Sequence, residues 1–188
     1  MSTLYNLLYF FAAIPQVLPF WSGERATGWH SEASGHIGGI TRDTTPLDIY
    51  SALVEGLAHR LLEIVSLLRS HGLLTCVNIG DGDLNIDSSE CIIAGSGAVL
   101  SGSSSICQVI ADVTNCVIAM YDKAINLGES TSYGVAVLIY DSLKTPDLND
   151  KKGEFLSGSK LYRPRAHMHL YYKSRHAAHA KLYDTLFA

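Results

Sequence analysis

The residues of this 188-residue chain with the clearest potential for chemistry form a short glycine turn. Cys91 to Ala94 reads as a short buried strand, and Gly95-Ser96-Gly97-Ala98 follows it, before a predicted helix that contains Gln108 and Asp112. Glycines after a strand let the backbone approach a ligand closely, and the start of a helix aims N–H groups at it, which suits a nucleotide. Because tight strand-to-helix turns also use glycine for steric reasons alone, this turn leaves both interpretations open.

Oxygen-bearing side chains alternate along one polar stretch as ligands do in calcium loops: Asp81, Asp83, Asn85 and Asp87. Ile86 stands at the glycine position of such a loop, and Ile92 stands at the position of its terminal glutamate. These two substitutions favour a solvated turn over a calcium site.

Four histidines lie close together near the carboxyl terminus, the last two at i, i+3 spacing: His167, His169, His176 and His179. Histidines at helical spacing bind zinc when further ligands complete the site, but no cysteine or acidic partner accompanies these. We therefore predict no metal site and interpret the histidines as an exposed, titratable helix face.

The elements that position these residues alternate between strands and helices. After a short predicted strand at His36 to Thr41, Thr45-Pro46 with Asp48 marks a helix start, and Gly72 marks its end. Apolar residues recur every three or four positions in that helix, and polar residues fall mostly on another face: Ser51, Glu55, His59, Glu63, Ser66 and Ser70. Further strand and helix follow at Val117 to Met120 and about Ser130 to Leu143, and a last helix follows Pro164. The alternation predicts an α/β layered domain.

Composition and charge exclude some classes of function. A hydrophobic content of 47% supports one sizeable core, so we expect a single globular domain. A net charge of -4 argues against a nucleic-acid partner. Four cysteines without a CxxC pair favour a reduced, intracellular protein, and the apolar segment Leu4 to Ile14 is too short to cross a membrane, so we expect neither an anchor nor a signal.

The glycine turn and its helix, Gly95 to Ala98 with Ser104 and Gln108 to Val113, resemble the adenosine-binding signature of the FGGY carbohydrate kinases. Other blocks resemble the family's in the same order, and the set spans about residues 18 to 186: Leu18 to Arg25 with Trp29, Gly35 to Thr41, Ala52 to Ala58, Glu129 to Ala136, and Tyr162, Pro164, Tyr171 and Tyr183.

The resemblance implies an α/β fold of the ribonuclease H-like (actin-like ATPase) type, a mixed sheet with flanking helices. Residues 18–188 would form the family's C-terminal nucleotide-binding domain, of the gluconokinase or pentulose-kinase type, and residues 1–17 an apolar N-terminal remnant. The implied cofactors are ATP and Mg²⁺, the implied location is cytoplasmic, and the implied nucleotide-binding residues are Gly95, Ser96, Gly97, Ala98 and Gln108.

The resemblance also implies what this chain lacks. In the family a first domain carries the sugar site and the general-base aspartate, and neither is matched here, so we assign no catalytic residue and expect the chain alone to be inactive. Glu24, Glu55 and Asp112 stand where the family has acids, and helix-face or capping roles remain open for the last two. Three residues depart from the family pattern within the matched blocks: Ser96, Asn115 and Tyr133.

Three functions therefore compete. The first is the ATP-binding half of a carbohydrate kinase that acts on a polyol, a ketopentose or an aldonate such as gluconate, with the acceptor left open. The second is a degenerate or split fragment that binds nucleotide or a partner half, with self-association through the apolar segment Leu4 to Phe20. The third is a dinucleotide-binding module, because Gly95-x-Gly97 follows a strand and Asp122 ends the next one, although Leu100 replaces the third glycine.

Overall fold

The computed structural model describes residues 15–73, 91–120 and 159–187. Contacts between Cα atoms divide the chain into two compact units. The first unit contains Met1–Leu74, Asp112–Thr114 and Arg165–Ala188, and the second contains Thr75–Ala111 and Asn115–Pro164.

Short strands and longer helices follow one another along the described chain. In chain order the elements are β1 (Gln16–Leu18), β2 (His36–Gly38), α1 (Pro46–Ser70), β3 (Ile92–Gly95), α2 (Ala98–Ser101), α3 (Ser104–Thr114), β4 (Val117–Met120), β5 (Lys160–Tyr162) and α4 (Ala166–Phe187). Several features of the sequence analysis lie outside the described residues: the helix predicted near Ser130 to Leu143, the alternating oxygen side chains of 81–87, the apolar segment before residue 15, Tyr133 and Asp122.

Helix α1 begins and ends where the sequence predicts. The Thr45 hydroxyl accepts a hydrogen bond from the Asp48 N–H at 3.2 Å, and the Asp48 carboxylate accepts one from the Thr45 N–H at 2.9 Å. This reciprocal pair, with Pro46 in the first turn, satisfies N–H groups that a helix start leaves free. At the other end Gly72 adopts a φ of +67°, a conformation that favours glycine and ends the helix.

The first unit has its core where β1 meets the two long helices. Strands β1 and β2 pair antiparallel with Val17 opposite Ile37. Buried residues at the end of β1 and after it pack against partly buried side chains of α4 in one cluster: Leu18, Phe20 and Ala33 with Leu182, Tyr183 and Phe187. Helix α1 approaches β1 so closely that a Cβ on Gly56 would overlap the Val17 carbonyl oxygen. Only glycine fits at this crossing.

The second unit is built on a three-stranded mixed sheet. Strands β3 and β4 are parallel, with Gly95 opposite Met120, and β5 pairs antiparallel with β4, with Lys160 opposite Met120. All four residues of β4 are buried, and the sheet packs on α3 in one core cluster: Cys107, Ala111, Ile118 and Met120 with Ile93, Leu100, Ile110 and Tyr162. The mixed α/β class and the predicted strands at Cys91 to Ala94 and Val117 to Met120 are confirmed.

None of the helices in the described ranges is long and apolar enough to cross a membrane.

The crossing at Gly56 predicts a specific sensitivity. In Gly56→Ala the added methyl group meets a backbone oxygen that cannot move aside, and overpacking of this kind costs about 1–3 kcal/mol. That cost exceeds the gain of up to about 1 kcal/mol in helix propensity. Urea denaturation should therefore show a lower free energy of unfolding.

Gly38→Ala is the matched control, because a Cβ there meets Leu182 Cδ2 at an ordinary 3.6 Å. Its free energy of unfolding should be unchanged or slightly raised. Equal stabilities of the two variants would contradict the close approach at Gly56.

Candidate functional site

The glycine turn at the end of β3 contains two glycines with different physical requirements. A Cβ on Gly95 would overlap the Met120 sulfur on the neighbouring strand, so packing alone demands glycine there. Gly97 has a φ of +101°, which side chains other than glycine rarely adopt, and a Cβ there meets nothing within 4 Å. Gly95 is therefore explained by the fold, whereas Gly97 presents backbone to open space.

The helix predicted after the turn is divided in two. The short helix α2 begins at Ala98, and the Ser101 N–H donates to the Gly97 carbonyl at 3.0 Å. A new N-cap follows at Ser103, whose hydroxyl accepts from the Ile106 N–H at 3.4 Å and starts α3. The helix that carries Gln108 thus begins six residues or more after the glycines, because serine at 103 offers the backbone a fresh capping group.

The predicted nucleotide-binding residues occupy two places. Gly95, Ser96 and Gly97 form the turn and Ala98 opens α2, whereas Gln108 lies in α3, where its side-chain Nε2 donates to the Arg163 carbonyl at 2.8 Å. This bond gives Gln108 a structural role in holding the segment that follows β5.

Ser104, in the resembling block, has neighbours on β5 that the sequence does not reveal. Its hydroxyl lies 3.1 Å from Lys160 Nζ and 3.0 Å from the Tyr162 hydroxyl. Lys160 Nζ also sits 5.1 Å from the centre of the Tyr162 ring. A cationic side chain is thereby held beside the start of α3.

Glu24 is buried in the first unit and saturated with donors. Its carboxylate accepts hydrogen bonds from the Thr27 N–H at 3.0 Å, the Gly28 N–H at 3.1 Å and the Tyr183 hydroxyl at 2.7 Å, and it pairs with the Arg60 guanidinium. Burial alone raises the pKa of Glu24, but these hydrogen bonds and the Arg60 charge outweigh it and hold the pKa below its usual value. Burial and the bond to Glu24 raise the pKa of Tyr183 to about 12, which keeps the phenol a donor.

Glu55 has the same kind of environment. Its carboxylate pairs with Arg175 from α4 and lies 3.3 Å from His59 Nε2, and it is 4% exposed. Arg175 in addition donates to the Pro15 carbonyl at 3.0 Å. The sequence pattern predicts Glu55 on a polar helix face, but the structure shows it buried, where it links α1 to α4.

Asp112 is fully buried, and a single residue donates three hydrogen bonds to its carboxylate. Arg165 donates to its carboxylate from the backbone N–H at 2.7 Å, from Nε at 3.0 Å and from Nη2 at 2.6 Å. The hydrogen bond to Asp112 raises the pKa of Arg165. For Asp112, as for Glu24 and Glu55, the carboxylate serves the fold, since an acid surrounded by donors is a poor proton acceptor.

The prediction of an exposed histidine face on α4 is wrong for His176 and His179. His179 is 1% exposed, and burial together with the nearby His59 and Arg60 lowers its pKa to about 3. His176 does have an acidic partner, because its Nε2 lies 2.9 Å from a Glu63 carboxylate oxygen. Long-range packing of α4 on α1 overrides the local pattern. Within the described ranges, no three His, Cys, Asp or Glu residues are grouped so as to hold a metal ion.

Comparison with known proteins gives consistent matches. The model of the FGGY family of carbohydrate kinases, C-terminal domain, matches residues 8–139. A glycerol kinase from Lactococcus lactis subsp. lactis (strain IL1403) is 31% identical over 122 residues, which cover 65% of this chain and 21% of that protein.

Two solved structures are similar throughout this chain. A ligand-bound xylulose kinase from Lactobacillus acidophilus superposes with a TM-score of 0.69 at 22% identity, over 99% of this chain and 35% of that one. The Plasmodium falciparum glycerol kinase with ADP gives a TM-score of 0.68 at 23% identity, over 94% of this chain and 31% of that one. The chain thus spans about a third of the length of these kinases and shares their fold over that part.

The buried pair of Glu24 and Arg60 predicts a large effect of a small change. Glu24→Gln keeps the shape but leaves the guanidinium without its counter-charge, and breaking a buried pair in this way costs about 3 kcal/mol. The exposed pair Arg42–Asp43, 3.5 Å apart, supplies the control. Asp43→Asn should change stability by less than about 1 kcal/mol.

Urea denaturation of both variants measures the difference. If Glu24→Gln is no less stable than Asp43→Asn, Glu24 does not hold the loop at Thr27 and Gly28 as described.

Proposed function

Because the chain belongs to the FGGY family of carbohydrate kinases, we propose that it is the ATP-binding, C-terminal half of an ATP-dependent carbohydrate kinase, with the ribonuclease H-like fold of that family. The observation that carries the proposal is the turn at Gly97, where backbone in a glycine-favouring conformation faces open space at the end of a strand. Ligands of open α/β sheets bind outside the carboxyl ends of parallel strands, which is where this turn lies.

ATP suits the residues present at this turn. Open space above Gly97 gives a nucleotide access to main-chain N–H groups, and the cation of Lys160 beside Ser104 adds positive charge to the same unit. Gly95, Ser96, Gly97 and Ala98 would contact the nucleotide directly, and Gln108 would support the site through its bond to the Arg163 carbonyl.

The three motif acids do not suit a Mg²⁺ site. The motif acids Glu24, Glu55 and Asp112 are each occupied by an arginine and are buried. We therefore assign none of these three acids as a Mg²⁺ ligand.

Phosphoryl transfer needs an acceptor oriented toward the phosphate and a group that takes the hydroxyl proton. The motif acids of this chain are saturated with donors, so none of them fits that role. We propose that the chain alone is inactive, that the acceptor of the whole kinase is a polyol, ketopentose or aldonate, and that the protein works in the cytoplasm. The glycerol and xylulose kinases among its relatives support the class of acceptor.

A dinucleotide-binding module is the weaker alternative. Leu100, at the place of the third glycine, packs into the core of the second unit, and the new cap at Ser103 separates the turn from the long helix. The long helix that receives a pyrophosphate in dinucleotide-binding folds therefore does not start at this turn.

The first test of the site is a substitution at Gly97. Gly97→Val places a side chain in the open space of the turn and should abolish ATP binding in isothermal titration calorimetry. Gly72→Val is the matched control, because Gly72 also has a positive φ, +67°, with nothing within 4 Å of its Cβ, and lies in the other unit.

ATP affinity should survive in Gly72→Val and NAD should not bind the unaltered chain. Unchanged ATP affinity in Gly97→Val would exclude this turn as the site, and NAD binding in place of ATP would favour the alternative.

The second test concerns activity. A coupled ADP-release assay with gluconate, ribulose, xylulose and glycerol should show no turnover above background. A general base contributes about 100- to 10,000-fold and the holding together of acceptor and donor contributes more, so loss of both removes most of the acceleration. Turnover with any of the four that disappears in Gly97→Val would refute the proposed inactivity.

A further inference from the structure

Three histidine rings meet inside the first unit, between α1 and α4. His59 comes from α1 and is fully buried, and His176 and His179 come from α4. The His59 ring centre lies 5.1 Å from the centre of each of the other two, which are 6.4 Å apart. We refer to His59, His176 and His179 as the histidine cluster.

One nitrogen of each ring faces an acceptor. His59 Nε2 lies 3.3 Å from the Glu55 carboxylate, His176 Nε2 lies 2.9 Å from Glu63, and His179 is hydrogen-bonded to the backbone of Val17. Because carboxylates and carbonyls only accept, each ring must carry its proton on that nitrogen. The tautomers of the neutral rings are thereby fixed.

The second nitrogen of each ring then carries no proton and is a buried hydrogen-bond acceptor. His59 Nδ1, His176 Nδ1 and His179 Nε2 have no hydrogen-bond partner among the described residues. Buried acceptors without partners are costly, so the cluster is a weak point of the contact between α1 and α4. It is also the place where an added proton would bind.

The surroundings decide whether that proton is tolerated. On α1 the rings face Glu55, Arg60 and Glu63, and on α4 they face Tyr172 and Arg175. Glu55 is already paired with Arg175, and Glu63 is paired with His176. Among the described residues no acid pairs with His179, so a charged His179 would lie buried beside Arg60 without a counter-charge.

We propose that the histidine cluster is an acid-sensitive clasp, closed while His176 and His179 are neutral and opened by their protonation, which releases α4 from α1. Release would break the links that join the same two helices, namely Glu55 to Arg175 and Glu63 to His176. A fall in pH would thus detach α4 from its packing position on α1.

The direction of the pH effect follows from the two states. Burial lowers the pKa of His179 to about 3, and burial together with the nearby His59 lowers the pKa of His176, whereas a free histidine has a pKa of about 6.5. As the pH falls below about 6.5, the open state binds protons that the closed state does not bind, so the equilibrium shifts toward the open state. For His179 alone, the open state gains roughly 30-fold between pH 7.5 and pH 5.

Hydrogen–deuterium exchange of the full chain tests the clasp, with protection factors corrected for the intrinsic rate at each pH. Peptides from 46–70 and 166–187 should lose protection together, by roughly 30-fold or more between pH 7.5 and pH 5. His179→Leu removes a titrating ring, so its loss over the same range should be smaller by about that factor. His167→Leu, at an exposed position of the same helix, should behave as the unaltered chain.

Imidazole NMR of the unaltered chain keeps the test decisive if His179→Leu does not fold. The ring of His179 should remain neutral at pH 5 in the closed state. Titration of that ring near pH 6.5, or protection of both helices that is constant from pH 7.5 to pH 5, would overturn the proposal.

Discussion

Buried carboxylates, each paired with an arginine, are the feature on which the first unit depends. Glu24, Glu55 and Asp112 are 3%, 4% and 0% exposed, and a bare charge at such positions would be too costly to keep. Each is balanced by a guanidinium and by further donors from backbone, phenol or imidazole. The pair of Glu55 and Arg175 fixes α4 against α1, and Glu24 fixes the loop after β1. These pairs explain why the motif acids are structural, and why removal of one partner should cost more than loss of any surface ion pair.

Local signals in the sequence predict the local parts of the fold well. The capping box at Thr45 and Asp48 and the terminating glycine at 72 define α1 because each depends on residues only a few positions away. The partners of the acids could not be predicted in the same way, since Arg60 lies 36 residues from Glu24 and Arg175 lies 120 residues from Glu55. One signal was nevertheless available: Ala52 and Gly56, both small, share the helix face with Glu55 and His59, and small residues indicate a close approach of another element.

The candidate site shows the same division between local and long-range information. The turn from Gly95 to Ala98 was recognisable from its residues, but the reasons for its two glycines come from the structure. Gly95 is required by Met120 across the sheet, and Gly97 by its own backbone conformation. The interruption of the following helix is a local effect of the capping serine at 103, whereas the contacts of Ser104 with β5 depend on a strand some 60 residues away and had no counterpart in the pattern. We therefore propose direct nucleotide contact for the turn and a supporting role for Gln108.

Photolabelling with 8-azido-ATP tests the central claim, that this chain is a nucleotide-binding half of a kinase, without requiring turnover. After irradiation and protease digestion, mass spectrometry should find the label in peptides from 91–120, and excess ATP should prevent the labelling. Label confined to peptides from 15–73 or 166–187, or labelling that excess ATP does not reduce, would contradict the account.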